Sequence, residues 1–252
     1  MEPDWLIPRW PAPAHVRAVC TTRSGGVSRA PYDSLNLGDH VGDDPAAVAR
    51  NRALLAQALG AQPVFLQQVH ATRAVELDAA SQDGRQADAC FTDQTGVACT
   101  IMVADCLPLL FTDTAGSFVA AAHAGWRGLA DGVIESLLER INARYDVGAT
   151  EILVWLGPCI GPRAFEVGGE VKAAFERHDA GAAQCFEAGP LMDKWLADLP
   201  ALARRRLHAA GVRSMHGNDS GAEWCTVGNP SRFFSHRRDR VCGRLAACIW
   251  LG

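Results

Sequence analysis

The chain has 252 residues, 48% hydrophobic and 21% charged, enough for a large buried core in an ordinary globular protein. Its formal net charge of -4 offers no attraction for nucleic acid, and the clusters Arg204-Arg205-Arg206 and Arg237-Arg238 with Arg240 read as solvated faces, the second also suiting phosphate. The N-terminus, Met1-Glu2-Pro3-Asp4-Trp5, is not a secretory signal, and the longest apolar stretch, residues 97–111, is broken by Asp105 and too short to span a bilayer. The expected protein is cytoplasmic, with no membrane and no nucleic-acid partner. Its nine cysteines, an odd number without a C-x-x-C pair, are expected to be reduced.

In chain order, a first strand is predicted at residues 16–21. Ser24-Gly25-Gly26-Val27-Ser28 follows as a turn whose glycines let backbone N–H groups face an anion, with Arg23 and Ser28 adding contacts; the same residues also suit a plain β-turn. Asp44 caps a helix that starts at Pro45, repeats Val48, Leu55, Ala58 and Leu59 at helical spacing and stops at Gly60. Strands are predicted at 64–68, 74–77, 89–92, 97–103, 107–112 and 117–122. A second helix spans 129–144, where Leu129, Val133, Ile134, Leu137, Leu138 and Ile141 share a face, with Asp131 in the first turn and Arg144 in the last. A strand at 152–156, a helix at 167–177, a helix at 191–208 kinked or broken at Pro200, and a strand at 243–250 complete the order. Helices long enough to cover a sheet, mixed with hairpin-like strand pairs, predict an α/β (α+β) fold. No linker or repeat interrupts the chain, so residues 1–252 form one layered domain with a mixed β-sheet core flanked by helices.

The densest chemistry lies between residues 104 and 128. Ala104-Asp105-Cys106-Leu107-Pro108 precedes one apolar strand and His123-Ala124-Gly125-Trp126-Arg127-Gly128 ends the next, placing a thiol and an imidazole at strand ends. His70, after the apolar run from Val64, supplies a second imidazole. Two histidines and one cysteine with a fourth position open form the donor set of a catalytic zinc, which lowers the pKa of its water to about 7. The three are widely separated and match no compact zinc signature, and each residue type is also common in cores, so the residues alone leave both readings open. Asp105 is placed to orient a ligand or shuttle a proton, and Gln68, on the face of His70, to bind substrate or fix the metal water. Arg127 could contact substrate and Trp126 could pack over a base. Cys159, in a Gly-Pro-Cys-Ile-Gly turn, stays open; Cys20, Cys90, Cys99, Cys185, Cys225, Cys242 and Cys248 are read as core.

Ordered motifs extend these features along nearly the whole chain: Thr21-Thr22-Arg23-Ser24-Gly25-Gly26-Val27-Ser28, Ser34-Leu35-Asn36-Leu37-Gly38, Val41-Gly42-Asp43-Asp44, Gln68-Val69-His70, the two segments above, Phe165-Glu166-Val167-Gly168 and Ser235-His236-Arg237-Arg238-Asp239. In these the chain resembles the YfiH-like family, which includes the bacterial peptidoglycan editing factor. The resemblance implies a mixed sheet core flanked by helices and a zinc ion on His70, Cys106 and His123. Asn36, within its motif, joins Arg23, Gly25, Gly26, Ser28 and Arg127 as a candidate for anion or substrate binding. One departure is His236, where similar proteins often carry Tyr, so no substrate contact carries over to that position.

The resemblance implies a small-molecule substrate. Similar proteins have been assigned phosphorolysis of purine nucleosides (adenosine, inosine, methylthioadenosine), adenosine deamination, and removal of L-Ser from a UDP-MurNAc precursor. The first expectation is a zinc-dependent purine nucleoside phosphorylase with adenosine deaminase activity; the alternative is a peptidoglycan editing amidase. The deaminase signature H-x-E with P-C-x-x-C is absent. The residues also fit a metal-free thiol hydrolase, with Cys106 attacking and His123 as base, although the charge of Asp105 beside Cys106 is expected to raise that thiol unless a cationic histidine or a metal compensates. A copper polyphenol oxidase using Met102 as weak ligand is the third class, and family members have been labelled laccases; with eight histidines and no His-x-His pair the chain suits it least.

Overall fold

The computed structural model describes residues 4–252, so Met1 to Pro3 of the N-terminal motif lie outside it. The elements run β1 (Val16–Cys20), α1 (Pro45–Leu59), β2 (Gln62–Phe65), β3 (Ala74–Glu76), β4 (Ala89–Thr92), β5 (Val97–Val103), β6 (Leu107–Asp113) and β7 (Val119–Ala124). They continue α2 (Trp126–Asp131), α3 (Val133–Tyr145), β8 (Ile152–Leu156), β9 (Glu166–Gly168), α4 (Gly169–Glu176), β10 (Phe186–Ala188), β11 (Lys194–Ala197), α5 (Leu199–Ala209), β12 (Ser214–Gly217), α6 (His236–Asp239) and β13 (Leu245–Leu251). The strands form a four-stranded sheet ordered β1-β13-β5-β2, a six-stranded sheet ordered β12-β8-β6-β7-β4-β3, and a three-stranded sheet ordered β10-β11-β9. Parallel pairs (β2 with β5, β3 with β4, β8 with β12) mix with antiparallel ones, giving the expected mixed α/β architecture.

The period-2 alternation of the central strands explains the layering. Val97, Cys99, Ile101 and Val103 of β5 share a buried cluster with Cys90, Leu110, Val119, Ala121 and Trp155 of the six-stranded sheet. The opposite face of β5, Ala98 and Met102, packs on Leu55 and Leu59 of α1. On the far side, Leu107, Leu109 and Phe111 of β6 and Ala120, Ala122 and Ala124 of β7 pack with Ile134, Leu137 and Ile141 of α3 and Leu202 and Leu207 of α5. The order is therefore helix, sheet, sheet, helices. Each fully buried large apolar side chain contributes roughly 1.5–3 kcal/mol of transfer free energy.

Three predicted helices are corrected. The helix expected at 129–144 begins earlier and is split in two, because Gly132 adopts φ 103°, ending α2 and starting α3. The helix at 167–177 is a short strand, β9, followed by α4, since Val167 pairs with Trp195 of β11. The helix at 191–208 is likewise β11 followed by α5; Pro200 sits in the first turn under the Asp198 cap, where its missing N–H is harmless, and breaks nothing. The strand expected at 64–68 ends at Phe65, so His70 stands in a loop, and His123 lies within β7. No described helix is long and apolar enough to cross a membrane.

Candidate metal centre

The site forms at one end of the seam between the two larger sheets. The chain leaves β5 at Val103, turns through Asp105 with φ 91°, and enters β6 at Leu107. Antiparallel pairing sets Pro108 opposite His123 and Leu107 opposite Ala124, bringing Cys106 to the end of β7. His123 has the parity of Val119 and Ala121, so it faces the seam and is buried. His70, at φ 62°, comes from the loop after β2.

The donor atoms of His70, Cys106 and His123 lie within 4.8 Å of one another. Cys106 Sγ is 3.7 Å from His70 Nε2, close to the separation of about 3.6 Å that metal–sulfur and metal–nitrogen bonds of about 2.3 and 2.0–2.1 Å give at a tetrahedral angle. The two imidazoles meet edge to face, with centroids 4.7 Å apart. A Cβ on Gly125 would lie 2.8 Å from the His70 ring and 3.0 Å from the Cys106 sulfur, so the cluster requires glycine there. Three mutually close N/S donors facing a cavity fit a metal ion with one position left open.

The cluster's electrostatics suit that role. Burial raises the Cys106 thiol, but the charge of His123 and hydrogen bonds from His123 and His70 prevail and lower it to about 6. Burial lowers His123, but the Cys106 thiolate and the hydrogen bond to Asp88 raise it to about 9. The cationic histidine needed to offset Asp105 is therefore present. Asp105 Oδ1 accepts from Thr226 Oγ1 at 2.6 Å and its Oδ2 from the Arg237 N–H at 2.6 Å, and the His123 charge dominates at sulfur.

The cluster opens into a cavity of about 510 Å³. Arg237, Arg240 and Arg244 line it with His40 and His236, and among the described residues Asp105 is the one carboxylate in its wall. The Arg237 guanidinium donates to the carbonyl of Glu166 at 3.0 Å and that of Arg244 to the carbonyl of Cys242 at 3.0 Å. Arg238 is excluded from the wall: it donates to the carbonyls of Thr226 and Phe233 and pairs with Asp239, fastening the C-terminal segment.

The other sequence candidates fall in three places. Gln68 lines the cavity, but its amide is engaged at both ends, donating to the Met102 carbonyl at 2.7 Å and accepting from the Met102 N–H at 2.8 Å. The Met102 sulfur is contacted by Arg52 Nη2 at 3.9 Å. Arg127 is exposed and stacks over Trp126, outside the cavity wall.

The glycine-rich turn and Asn36 form a separate knot. Arg23 donates to the carbonyls of Asp33 and Pro230, both at 2.9 Å. Ser28 Oγ donates to Asp43 Oδ2 at 2.6 Å, and the Asn36 amide donates to the same oxygen at 2.9 Å. The Gly26 N–H donates to Ser34 Oγ, and a Cβ on Gly26 would lie 2.2 Å from the Ser34 carbonyl; Gly25, at φ 97°, supplies the turn. This knot centres on the Asp43 carboxylate, with Ser28, Asn36 and Gly26 already paired, and it lies apart from the cavity, whose arginines stand around α6.

Asp88 carries no motif of its own, only an acid between two alanines at the entry to an apolar strand. Arg240, Arg244 and His40 join the cavity only through tertiary proximity. The nine cysteines are unpaired. Cys159 is buried and its thiol donates to the Ile160 carbonyl, whereas Cys225, expected in the core, is half-buried.

The family model described as multi-copper polyphenol oxidoreductase laccase matches residues 17–252. A purine nucleoside phosphorylase of Pseudomonas aeruginosa is 52% identical over 247 residues, 98% of this chain and 98% of its own length. Purine nucleoside phosphorylase YfiH of Escherichia coli is 49% identical over 249 residues, again 98% of each. Among solved structures, a Neisseria meningitidis protein of the DUF152 family superposes with a TM-score of 0.91 at 48% identity, covering 98% of this chain and 99% of that one. Fold, motifs and overall similarity agree, and the chain belongs to the YfiH (DUF152) family.

Proposed function

We propose that the chain is a zinc-dependent purine nucleoside phosphorylase, one catalytic domain working in the cytoplasm on adenosine, inosine and methylthioadenosine. The observation that carries this reading is the placement of the His70, Cys106 and His123 donors in the same cavity wall as three arginines. Relatives named purine nucleoside phosphorylase at about half identity support it. In this reading Arg237, Arg240 and Arg244 hold inorganic phosphate, for which guanidinium forks are suited. A phosphate oxygen attacks the ribose C1′, the bond from C1′ to N9 breaks with its electron pair moving to the purine, and the purine takes up a proton. Ribose 1-phosphate and free base leave. Zinc, when bound, supplies an electrophilic centre that polarises a reacting oxygen. Asp105 holds α6, and with it Arg237, against the cavity. Adenosine deamination, in which water replaces the 6-amino group, would draw on the same cavity.

The donor set favours zinc over copper: the Met102 sulfur, the axial ligand a blue-copper centre would need, is engaged by Arg52. A second reading also has an observation behind it. Cys106 stands within 4.8 Å of His123, whose Nδ1 contacts Asp88 at 2.8 Å; a thiol, imidazole and carboxylate in that order are the parts of a cysteine hydrolase and would suit attack on the amide of UDP-MurNAc-L-Ser. Incubation with adenosine, inosine, methylthioadenosine and UDP-MurNAc-L-Ser, each with and without phosphate, separates the readings. Phosphorolysis predicts free base and ribose 1-phosphate only with phosphate. Efficient release of L-Ser with trace nucleoside turnover would replace it with the editing amidase, and a covalent adduct on Cys106 would assign that chemistry to the thiol.

A further inference from the structure

We infer that Asp88 is a positioning residue that sets two of the three metal donors at once, an inference that rests on the cluster holding a metal. Asp88 stands immediately before β4 and is fully buried. Each contact of its carboxylate goes to a donor-bearing segment. Oδ1 accepts from His123 Nδ1 at 2.8 Å and from the His70 N–H at 2.9 Å. Oδ2 accepts from the N–H groups of Val69 at 3.1 Å and Ala71 at 2.8 Å. Its own carbonyl accepts from the His123 N–H at 2.7 Å.

Two consequences follow from these bonds. An ionised carboxylate only accepts, so its contact to Nδ1 requires a proton there and leaves Nε2 as the His123 nitrogen free to bind a metal. His70 is held at φ 62°, a conformation that side-chain-bearing residues adopt only when their surroundings enforce it, and three consecutive N–H groups converging on one carboxylate are that enforcement. A single buried side chain thus fixes the tautomer of one ligand and the backbone of another. Cys106 alone among the three donors is set independently of it, by the turn into β6.

Asp88→Asn keeps the size and changes the chemistry. Its amide keeps one accepting oxygen and replaces the other by an NH2 that only donates: facing His123, the NH2 makes the ring accept at Nδ1 and carry its proton on Nε2, which then cannot ligate; facing the loop, it meets the N–H groups of Val69 and Ala71 donor to donor and releases the backbone that holds His70. Zinc affinity, read by competition with a chromophoric chelator, should fall about 10–100-fold, the usual effect of removing such a partner. Two-bond 1H–15N spectra of the zinc-loaded unmutated protein should place zinc on His123 Nε2 with Nδ1 protonated. This second measurement needs no variant, so it stands even if Asp88→Asn fails to fold. Coordination through Nδ1, or unchanged zinc affinity in a folded Asp88→Asn protein, would overturn the inference while leaving the metal site intact. Failure of the unmutated protein to bind zinc would remove the metal reading beneath it.

Discussion

His70, Cys106 and His123 reach one point from a loop, a turn and a strand, and among the described residues they are the one group of three or more His, Cys, Asp or Glu donors close enough together to hold a metal ion. His70→Ala, Cys106→Ala and His123→Ala should therefore each lose stoichiometric zinc, measured by elemental analysis, while the circular dichroism of the fold is retained. In metal-free protein the thiolate absorbance near 240 nm should appear with a midpoint at about pH 6, because the cationic His123 lowers the Cys106 thiol. With its folded pKa below the unfolded one, Cys106 contributes stability that is present above the unfolded pKa and lost as pH falls through about 6. His123→Gln should move the midpoint up toward the ordinary thiol value of 9.0; a midpoint left at about 6 would contradict the pairing. The donors were legible as residue types, but Asp88 was not, since an aspartate reads as a metal partner only once β4 has brought it under His123. On the proposed function phosphate falls to the arginine wall and not to the glycine-rich turn: Arg240→Ala should raise the KM for phosphate about tenfold, the loss of roughly one charge-assisted bond, whereas Arg23→Ala should leave it unchanged.

Strand identity in the central sheets was legible because short, largely apolar runs such as residues 97–103, interrupted only by Thr100, suit strands buried on both faces in a layered core. Elements decided by tertiary pairing were not. Residues 194–197 continue an apparent helical pattern, and only the ladder to β9 and β10 makes them a strand. Gly132 is the clearest local case: a face of Leu129, Val133, Ile134 and Leu137 suggests one helix, but a glycine at φ 103° divides it and turns α3 onto the sheet. A Cβ there would find ordinary contact distances, with Glu135 Oε2 at 3.5 Å and Arg206 Nη2 at 3.6 Å, so the effect of substitution is backbone strain alone. Gly132→Ala should destabilise by about 1–2 kcal/mol in urea unfolding, with zinc binding preserved; a neutral effect would mean that α2 and α3 can join.

Across the whole molecule, the seam between two sheets ends in a cavity with His70, Cys106 and His123 on one wall and Arg237 of α6, with Arg240 and Arg244, on another. The helix-sheet-sheet-helix layering makes this possible, because β5, β6 and β7 all end or begin at the same edge while the C-terminal segment returns through α6 to β13. The central claim is that metal and cationic wall act together in phosphorolysis. The most direct measurement is ribose 1-phosphate release from adenosine in saturating phosphate, taken on purified protein, after chelator stripping, and after readdition of zinc. The expected result is release that disappears on stripping and returns with zinc at one equivalent per chain. Release that survives complete stripping, or that returns only with copper alongside an intense thiolate absorbance near 600 nm, would contradict it.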